Sequence, residues 1–365
     1  MNKIICIAGP TASGKTALAV ELAKELNGEV VSCDSMQVYR RMDIGTAKPT
    51  KDEMQGIVHH MLDVAEPDED FSVSRYCEMA TPIVDDILAR GKTAIIAGGT
   101  GLYMDALIKG NEFAPYPATG RREELEARAD SEGIEVLMDW LKDIDPEAAA
   151  KLHLSDRKRI IRALEVYLET GETITAHNRK TQAVPPRYSP LRLGLDFADR
   201  AVLYSRIDRR VDLMLEQGLM TEIAGLLAAG IPKKCTAMQA IGYKEFLAAV
   251  DGQCSIAEAA EEVKKASRHY AKRQLTWFRR NPNTHWLMRE ADEPAEKILT
   301  MAQQIVSQFD KLKMVGYVYP KERRYTYVGH HQFTGRHFEG SDPGQSAGDL
   351  IPDERLPAPG NRHRV

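Results

Sequence analysis

The sequence predicts an α/β fold: a P-loop parallel-sheet domain with an inserted all-helical domain and additional C-terminal helices. Three observations carry that expectation. Apolar runs of strand length alternate with amphipathic stretches through the first hundred residues. A glycine-rich loop joins the first run to the first helix. The pattern then breaks near residue 112 and turns helical, until an apolar run at 191–197 returns to strand character.

"KIICIA" (3–8), "EVVSC" (29–33) and "KTAIIA" (92–97) are near-continuous apolar runs, as in parallel strands covered on both faces. "KTALAVELAKELN" (15–27) and "SRYCEMATPIVDDILARG" (74–91) have the period of covering helices. "EFAPYPATG" (112–120) interrupts with two prolines and a glycine and marks a boundary. Residues 121–185 then read as helical, and "LSDRKRIIRALEVYLETG" ends on Gly171, a good helix-stop residue. "AVPPRYSP" (183–190) closes this block, and "LRLGLDF" (191–197) reads as a strand rejoining the sheet. The expected organisation is a catalytic domain of residues 1–112 and 188–310, with a helical insertion at 113–187. Helices resume from 199 to about 280. In the tail, residues 311–365, "YPKERRYTYVGHHQFTGRHF" suits a hairpin, and the Gly-, Pro- and charge-rich end suggests partial disorder.

Composition narrows the function classes. Apolar residues make up 43% of the chain, enough for a substantial core, and the net charge of −4 excludes a uniformly basic nucleic-acid coat. The five cysteines are scattered and never spaced C-x-x-C, so they support neither a disulfide framework nor a structural zinc site. The apolar start "MNKIICIAG" is too short for a signal peptide, and no run spans a membrane. A cytoplasmic, non-membrane, monomeric protein is expected.

Gly9-Pro10-Thr11-Ala12-Ser13-Gly14-Lys15-Thr16 fits G-x-x-x-x-G-K-[ST], after a strand and before a helix. Such a loop converges backbone N–H groups on phosphate oxygens at a helix N-terminus. Lys15 is expected to bridge two phosphates, and the Thr16 hydroxyl to sit on Mg²⁺. The fate of the phosphate is a separate question. A phosphoryl-transferring P-loop protein ends a later strand in an aspartate that holds the metal. Here "KTAIIA" runs into "GGTGLY", and Asp105 comes only in the following helix.

Asp34, in "VVSCDSMQVYR", falls at the C-terminal end of the second strand, where open α/β sheets bind ligands. It can serve as a general base, or equally as a helix cap or outer-shell magnesium ligand. Thr100, between glycines at another strand end, can donate to a phosphate oxygen or simply shape a turn. Two helices carry basic faces. In 263–280, Lys265, Arg268, Lys272 and Arg279 oppose Val263, Ala266, Tyr270 and Trp277, and the run contains no acid. In the insertion, Arg157, Lys158, Arg159 and Arg162 oppose Ile160, Leu164 and Tyr167. One-sided charge favours a polyanion partner over plain solvation.

Together these motifs closely resemble the tRNA dimethylallyltransferases, also called tRNA isopentenyltransferases. "GPTASGKT", "SCDSMQVYRRMDIGTAKP", "GGTGLYMDAL", "RKRIIRALEVYLETG", "LYSRIDRRVDLMLEQGL", "TAMQAIGYKE" and "YAKRQLTWFRRN" occur in that family's order, across about residues 3–281. The resemblance implies that the loop cradles dimethylallyl diphosphate rather than ATP, and that N6 of adenosine 37 attacks the allylic carbon as diphosphate leaves with Mg²⁺. It also implies that Asp34 is the general base, that Thr100 contacts the leaving diphosphate, and that Arg206, with Arg210 as the alternative, binds it. The tRNA-contacting segments then carry over to Asp34, Ser35, Met36 and Gln37, to Thr100, and to Lys158, Arg159, Ile160, Ile161 and Arg162, with Arg122 a looser match. Lys158 stands where the family often has glutamine. The competing readings are an ATP-dependent small-molecule phosphotransferase, a prenyltransferase of free adenine nucleotides, and a nucleotide-switched RNA-binding module.

Overall fold

The computed structural model describes residues 2–110, 119–291 and 293–311. Strand β1 (Asn2–Ala8) leads through the glycine-rich loop into α1 (Lys15–Glu25) and then β2 (Gly28–Ser32). A short helix α2 (Lys51–Met54) and a two-residue strand β3 (His59–His60) precede α3 (Val73–Ala89), β4 (Thr93–Gly98) and α4 (Gly101–Lys109). The helical block holds α5 (Arg121–Glu132), α6 (Ile134–Ile144), α7 (Pro146–Ala149), α8 (Arg157–Thr170) and α9 (Ile174–Ala183). The chain returns as β5 (Tyr188–Phe197) and continues through α10 (Arg200–Glu216), α11 (Leu219–Ala228), α12 (Lys244–Val250) and α13 (Ile256–Phe278). It ends in β6 (Thr284–Arg289) and α14 (Ala295–Lys311).

The six strands pair in the order β3-β2-β4-β1-β5-β6, every pairing parallel. Burial on both faces explains the continuous apolar runs, and the two-residue period still sorts the side chains. Ile4, Cys6 and Ala8 join the core shared with α3, α4 and α11–α13. Ile5 and Ile7 join the opposite core, with Leu18 and Leu22 of α1 and Ile298 and Ala302 of α14. Helices α5–α9 build a third core from Leu125, Leu137, Leu141, Ile160, Ile161 and Leu164, in which no strand residue takes part.

Two strands escape the sequence pattern. β3 is only two residues long, and β6, "THWLMR", has a single buried residue, Leu287, so neither shows an apolar run. The expected tail hairpin and disorder lie outside the described residues, as does most of the 112–120 boundary.

Parallel pairing places all strand C-termini at one edge, and Ala8 of β1 lies opposite both Gly98 of β4 and Gly194 of β5. The loops after β1, β2 and β4 therefore emerge side by side, which is what assembles a site. The opposite edge is closed by Glu29, 3% exposed, which accepts from Arg90 Nη1 (2.6 Å) and Nη2 (2.8 Å), Lys92 Nζ (2.7 Å) and His60 Nε2 (2.8 Å). These bonds, Arg90 first, hold the Glu29 carboxyl far below the usual carboxylate range. A carboxyl depressed in the fold stabilises it above the unfolded pKa and loses that contribution as pH falls. Glu29→Gln should therefore cost about 1–3 kcal/mol at pH 7. Below pH about 4 the gap to the parent should narrow, as urea midpoints at pH 7 and pH 3 would show. An equal gap at both pH values would remove Glu29 ionisation from the account.

Candidate active site

The glycine-rich loop spans the turn from β1 to α1. Gly14 adopts φ 94°, a left-handed conformation that side chains resist, and a Cβ there would lie 2.7 Å from Arg289 Nη1. Arg289, on β6, donates to the Ser13 carbonyl (3.1 Å), and Arg206, on α10, donates to the Ala12 carbonyl (3.1 Å). Both guanidinium groups lie over the Phe197 ring, 5.4 Å from its centroid. Because peptide planes are trans, carbonyls turned toward these arginines send the following N–H groups to the other side. The loop is thus braced from its carbonyl side, and the N–H groups of Ser13 and Gly14 face away from the brace.

Lys15 and Arg210 also meet this loop. Lys15 Nζ donates to the Pro10 carbonyl (2.6 Å), and Arg210 Nη1 lies 3.5 Å from Thr11 Oγ1. Burial, reinforced by Arg210 and opposed by Asp34, lowers the Lys15 pKa to about 8. Burial likewise pulls the Arg210 pKa below its ordinary value. Two desolvated cations at one loop are what a polyanionic ligand would neutralise. The sequence left Arg206 and Arg210 open. Here Arg206 donates to the Ala12 carbonyl, while Arg210 shares the electrostatic field of Lys15 and Asp34, so Arg210 stands beside Arg206 as a diphosphate-facing candidate. Ser13 Oγ is buried and has no hydrogen-bond partner among the described residues.

Asp34 lies two residues past β2. Its Oδ1 accepts from Met36 N–H (2.9 Å) and Gln37 N–H (3.4 Å), an Asx turn that fixes the carboxylate. Among the described residues Oδ2 accepts no protein hydrogen bond, so one oxygen serves the turn and the other is available for chemistry. Thr100 is joined to the same turn: its Oγ1 accepts from Ser35 N–H (3.0 Å) and lies 3.4 Å from Ser35 Oγ. Thr100 thus shapes the site. Gln37 does not present its amide to solvent. Its Oε1 accepts from Ser32 Oγ (3.1 Å), and its Nε2 donates to the Thr46 and Ala47 carbonyls (3.3 and 3.1 Å). It shapes the 32–47 segment instead of reading a base with a free amide. Met36 is half-buried against the main core.

Asp105 is not a displaced metal ligand. It accepts from Arg192 Nη1 (2.9 Å) and Trp277 Nε1 (2.8 Å), which tie α4 to β5 and α13. No cluster of three His, Cys, Asp or Glu side chains able to hold a metal occurs among the described residues.

The basic faces need correction in detail. On α13, Arg268 pairs with Asp208, Lys264 with Asp212 and Glu261, Lys265 with Glu262, and Arg279 with Asp196. A run without acids of its own is thus largely matched by acids of α10, β5 and the preceding turns of α13. In the helical block, Arg157 pairs with Glu126 and Asp130, Arg162 and Arg122 with Glu165, and Arg159, 71% exposed at its side chain, with Asp156 at 3.4 Å. Lys158 is exposed. Ile160 and Ile161, expected as tRNA contacts, are fully buried in the core of that block, so their side chains do not face an RNA.

Sequence reasoning missed Arg289, because β6 was not foreseen, and Gln274. A signal for the latter existed: Gln274 falls on the apolar side of α13, four residues after Tyr270 and three before Trp277.

Residues 37–281 match the family model described as IPP transferase. The chain belongs to the IPP transferase family. Relatives named "tRNA dimethylallyltransferase" include one from Acetivibrio thermocellus, 47% identical over 300 residues, covering 82% of this chain and 96% of that protein. Another, from Thermoanaerobacter pseudethanolicus, is 50% identical over 279 residues, covering 76% of this chain and 89% of that protein. Among solved structures, the tRNA isopentenylpyrophosphate transferase of Bacillus halodurans matches with a TM-score of 0.65 at 43% identity, over 86% of this chain and 99% of that one. A eukaryotic dimethylallyltransferase acting on tRNA matches with a TM-score of 0.73 at 29% identity, over 88% and 82%. This IPP transferase has the parallel-sheet α/β fold that its sequence predicts. Among its described residues no helix is long and apolar enough to cross a membrane.

Proposed function

We propose that this protein transfers the dimethylallyl group of dimethylallyl diphosphate to N6 of adenosine 37 in tRNA, releasing diphosphate. The observation that carries the reading is a phosphate loop bearing Lys15, met by Arg210 of α10, with the anchored carboxylate of Asp34 in the field of both cations. The names and tRNA substrate of its relatives support the same reading.

In the proposed step the N6 lone pair attacks C1 of the allylic group, and the C1–O bond breaks with its electron pair leaving on diphosphate. The N6 proton passes to the Asp34 carboxylate, whose position the Asx turn holds. Lys15, Arg210 and the loop N–H groups stabilise charge growing on the leaving oxygens, the kind of preorganised effect that usually dominates. Mg²⁺ fits the donors present. With no cluster of three protein ligands among the described residues, the ion would be held mainly by the diphosphate oxygens, with the Thr16 hydroxyl, which is how magnesium commonly binds. It would supply further neutralisation of the leaving group.

Labelled dimethylallyl diphosphate, offered with Mg²⁺ to unmodified tRNA and in parallel to AMP, tests the function. Label in tRNA alone supports it, and label in AMP alone moves the protein to nucleotide prenylation. Label in neither, with phosphate passed from ATP, would establish a phosphotransferase.

The same assay tests the RNA face. Lys158→Glu with Arg159→Glu reverses two exposed charges on α8 without touching its core. The double variant should weaken tRNA binding by about tenfold or more and flatten its salt dependence, as loss of two phosphate contacts would. Unchanged affinity and salt slope would take α8 out of the RNA interface.

A further inference from the structure

The geometry points to Gln274 as a positioning residue: its side-chain amide fixes the spacing between the phosphate loop and the loop that carries Thr100 and, through it, Asp34. This inference rests on the function proposed above and adds a residue to that site.

Gln274 lies on α13, 5% exposed, far in sequence from both loops it joins. Its Oε1 accepts from Thr11 N–H (3.0 Å) and its Nε2 donates to the Gly99 carbonyl (3.0 Å). Thr11 belongs to the phosphate loop and Gly99 immediately precedes Thr100. One planar amide therefore spans the two loops, each contact at normal hydrogen-bond length. The Thr11 N–H is directed into this contact and not toward a ligand, which marks the bond as structural within an otherwise anion-binding loop.

Few side chains can take this place. Glutamate keeps an acceptor for Thr11 but faces the Gly99 carbonyl with a second acceptor. Asparagine is one methylene too short to span both. Methionine fills the volume and makes neither bond. Gly99 is equally constrained, because a Cβ there would sit 2.2 Å from Gln274 Nε2. The strap itself is firmly seated. Ala271 and Leu275 on α13 are buried against Leu203 and Ile207 of α10, and Trp277 anchors α4 through Asp105.

The spacing matters because the diphosphate is held by one loop, and the other, through Thr100 and the Ser35 N–H, holds the turn that carries the Asp34 carboxylate. The attacking nitrogen must meet C1 in line, and misplacement by about 1 Å can cost about 10²-fold in rate. Loosening the strap should therefore lower kcat while leaving each loop able to bind its own ligand.

The test compares parent, Gln274→Met and Gly99→Ala in prenyl transfer to tRNA, with inorganic diphosphate binding in Mg²⁺ measured by calorimetry. Expected for both variants is a kcat about 10–10² lower, with the Kd for diphosphate within about threefold of the parent. Gly99→Ala displaces the amide from the other side, so it decides the matter if Gln274→Met fails to fold. A kcat within about threefold of the parent in a folded variant overturns the inference, as does a loss of diphosphate binding that matches the loss of rate. An inactive parent would instead overturn the proposed function, and with it this inference.

Discussion

Asp34→Asn should lower the rate of dimethylallyl transfer by about 10²-fold or more, the usual contribution of a positioned general base, while tRNA and diphosphate affinities stay nearly unchanged. The substitution is close to isosteric. The asparagine oxygen can still accept from Met36 and Gln37 N–H, so the Asx turn survives. What disappears is the negative charge and the ability to take a proton. If Asp34 served only as a turn residue, the variant would retain its rate. Single-turnover measurement with preformed complex separates chemistry from binding, and a rate within about threefold of the parent would move the base elsewhere.

Lys15→Ala should lower kcat/KM for the diphosphate substrate by about 10³-fold, in the range seen when one preorganised donor to a developing anion is removed. Its pH behaviour is a sharper test. Burial first, then Arg210, brings the Lys15 pKa to about 8, so the amine is mainly charged at neutral pH and loses its proton above that value. A bound diphosphate favours the charged amine. Affinity should thus be level below pH 8 and fall by up to about tenfold per pH unit above it, with proton uptake on binding. Calorimetry with inorganic diphosphate in buffers of different ionisation enthalpy reads that uptake directly. Lys15→Arg keeps the charge throughout and shares the titration of the diphosphate itself, so the parent's affinity relative to this variant should fall between pH 8 and 9.5. A relative affinity flat across that range would show that Lys15 is not the titrating contact.

Much of this protein is legible in its sequence because the informative patterns are local. The strand–loop–helix context of residues 3–27 defines a phosphate loop by itself, since the glycines, the lysine and the helix start are contiguous. Continuous apolar strands likewise indicate a sheet covered on both faces, and the structure has one, with its two cores separated by residue parity along β1. Asp34 and Thr100 were found as strand-end residues for the same reason.

What only the tertiary structure decided are the relations between distant segments. Whether the α13 arginines and lysines are available could not be read from a run without acids, because their partners lie chiefly on α10 and β5. The division between Arg206 and Arg210 depends on which loop atoms each reaches. One helical turn separates them in sequence, and one reaches the Ala12 carbonyl while the other reaches the Thr11 hydroxyl. The partners of Arg289 and Gln274 became visible only when β6 and α13 were set against the phosphate loop, 276 and 263 residues away. The physical reason is common to all of these. Hydrophobic periodicity records which face of an element is buried. Hydrogen bonds and ion pairs also depend on what arrives opposite, and that is fixed only when the chain has folded.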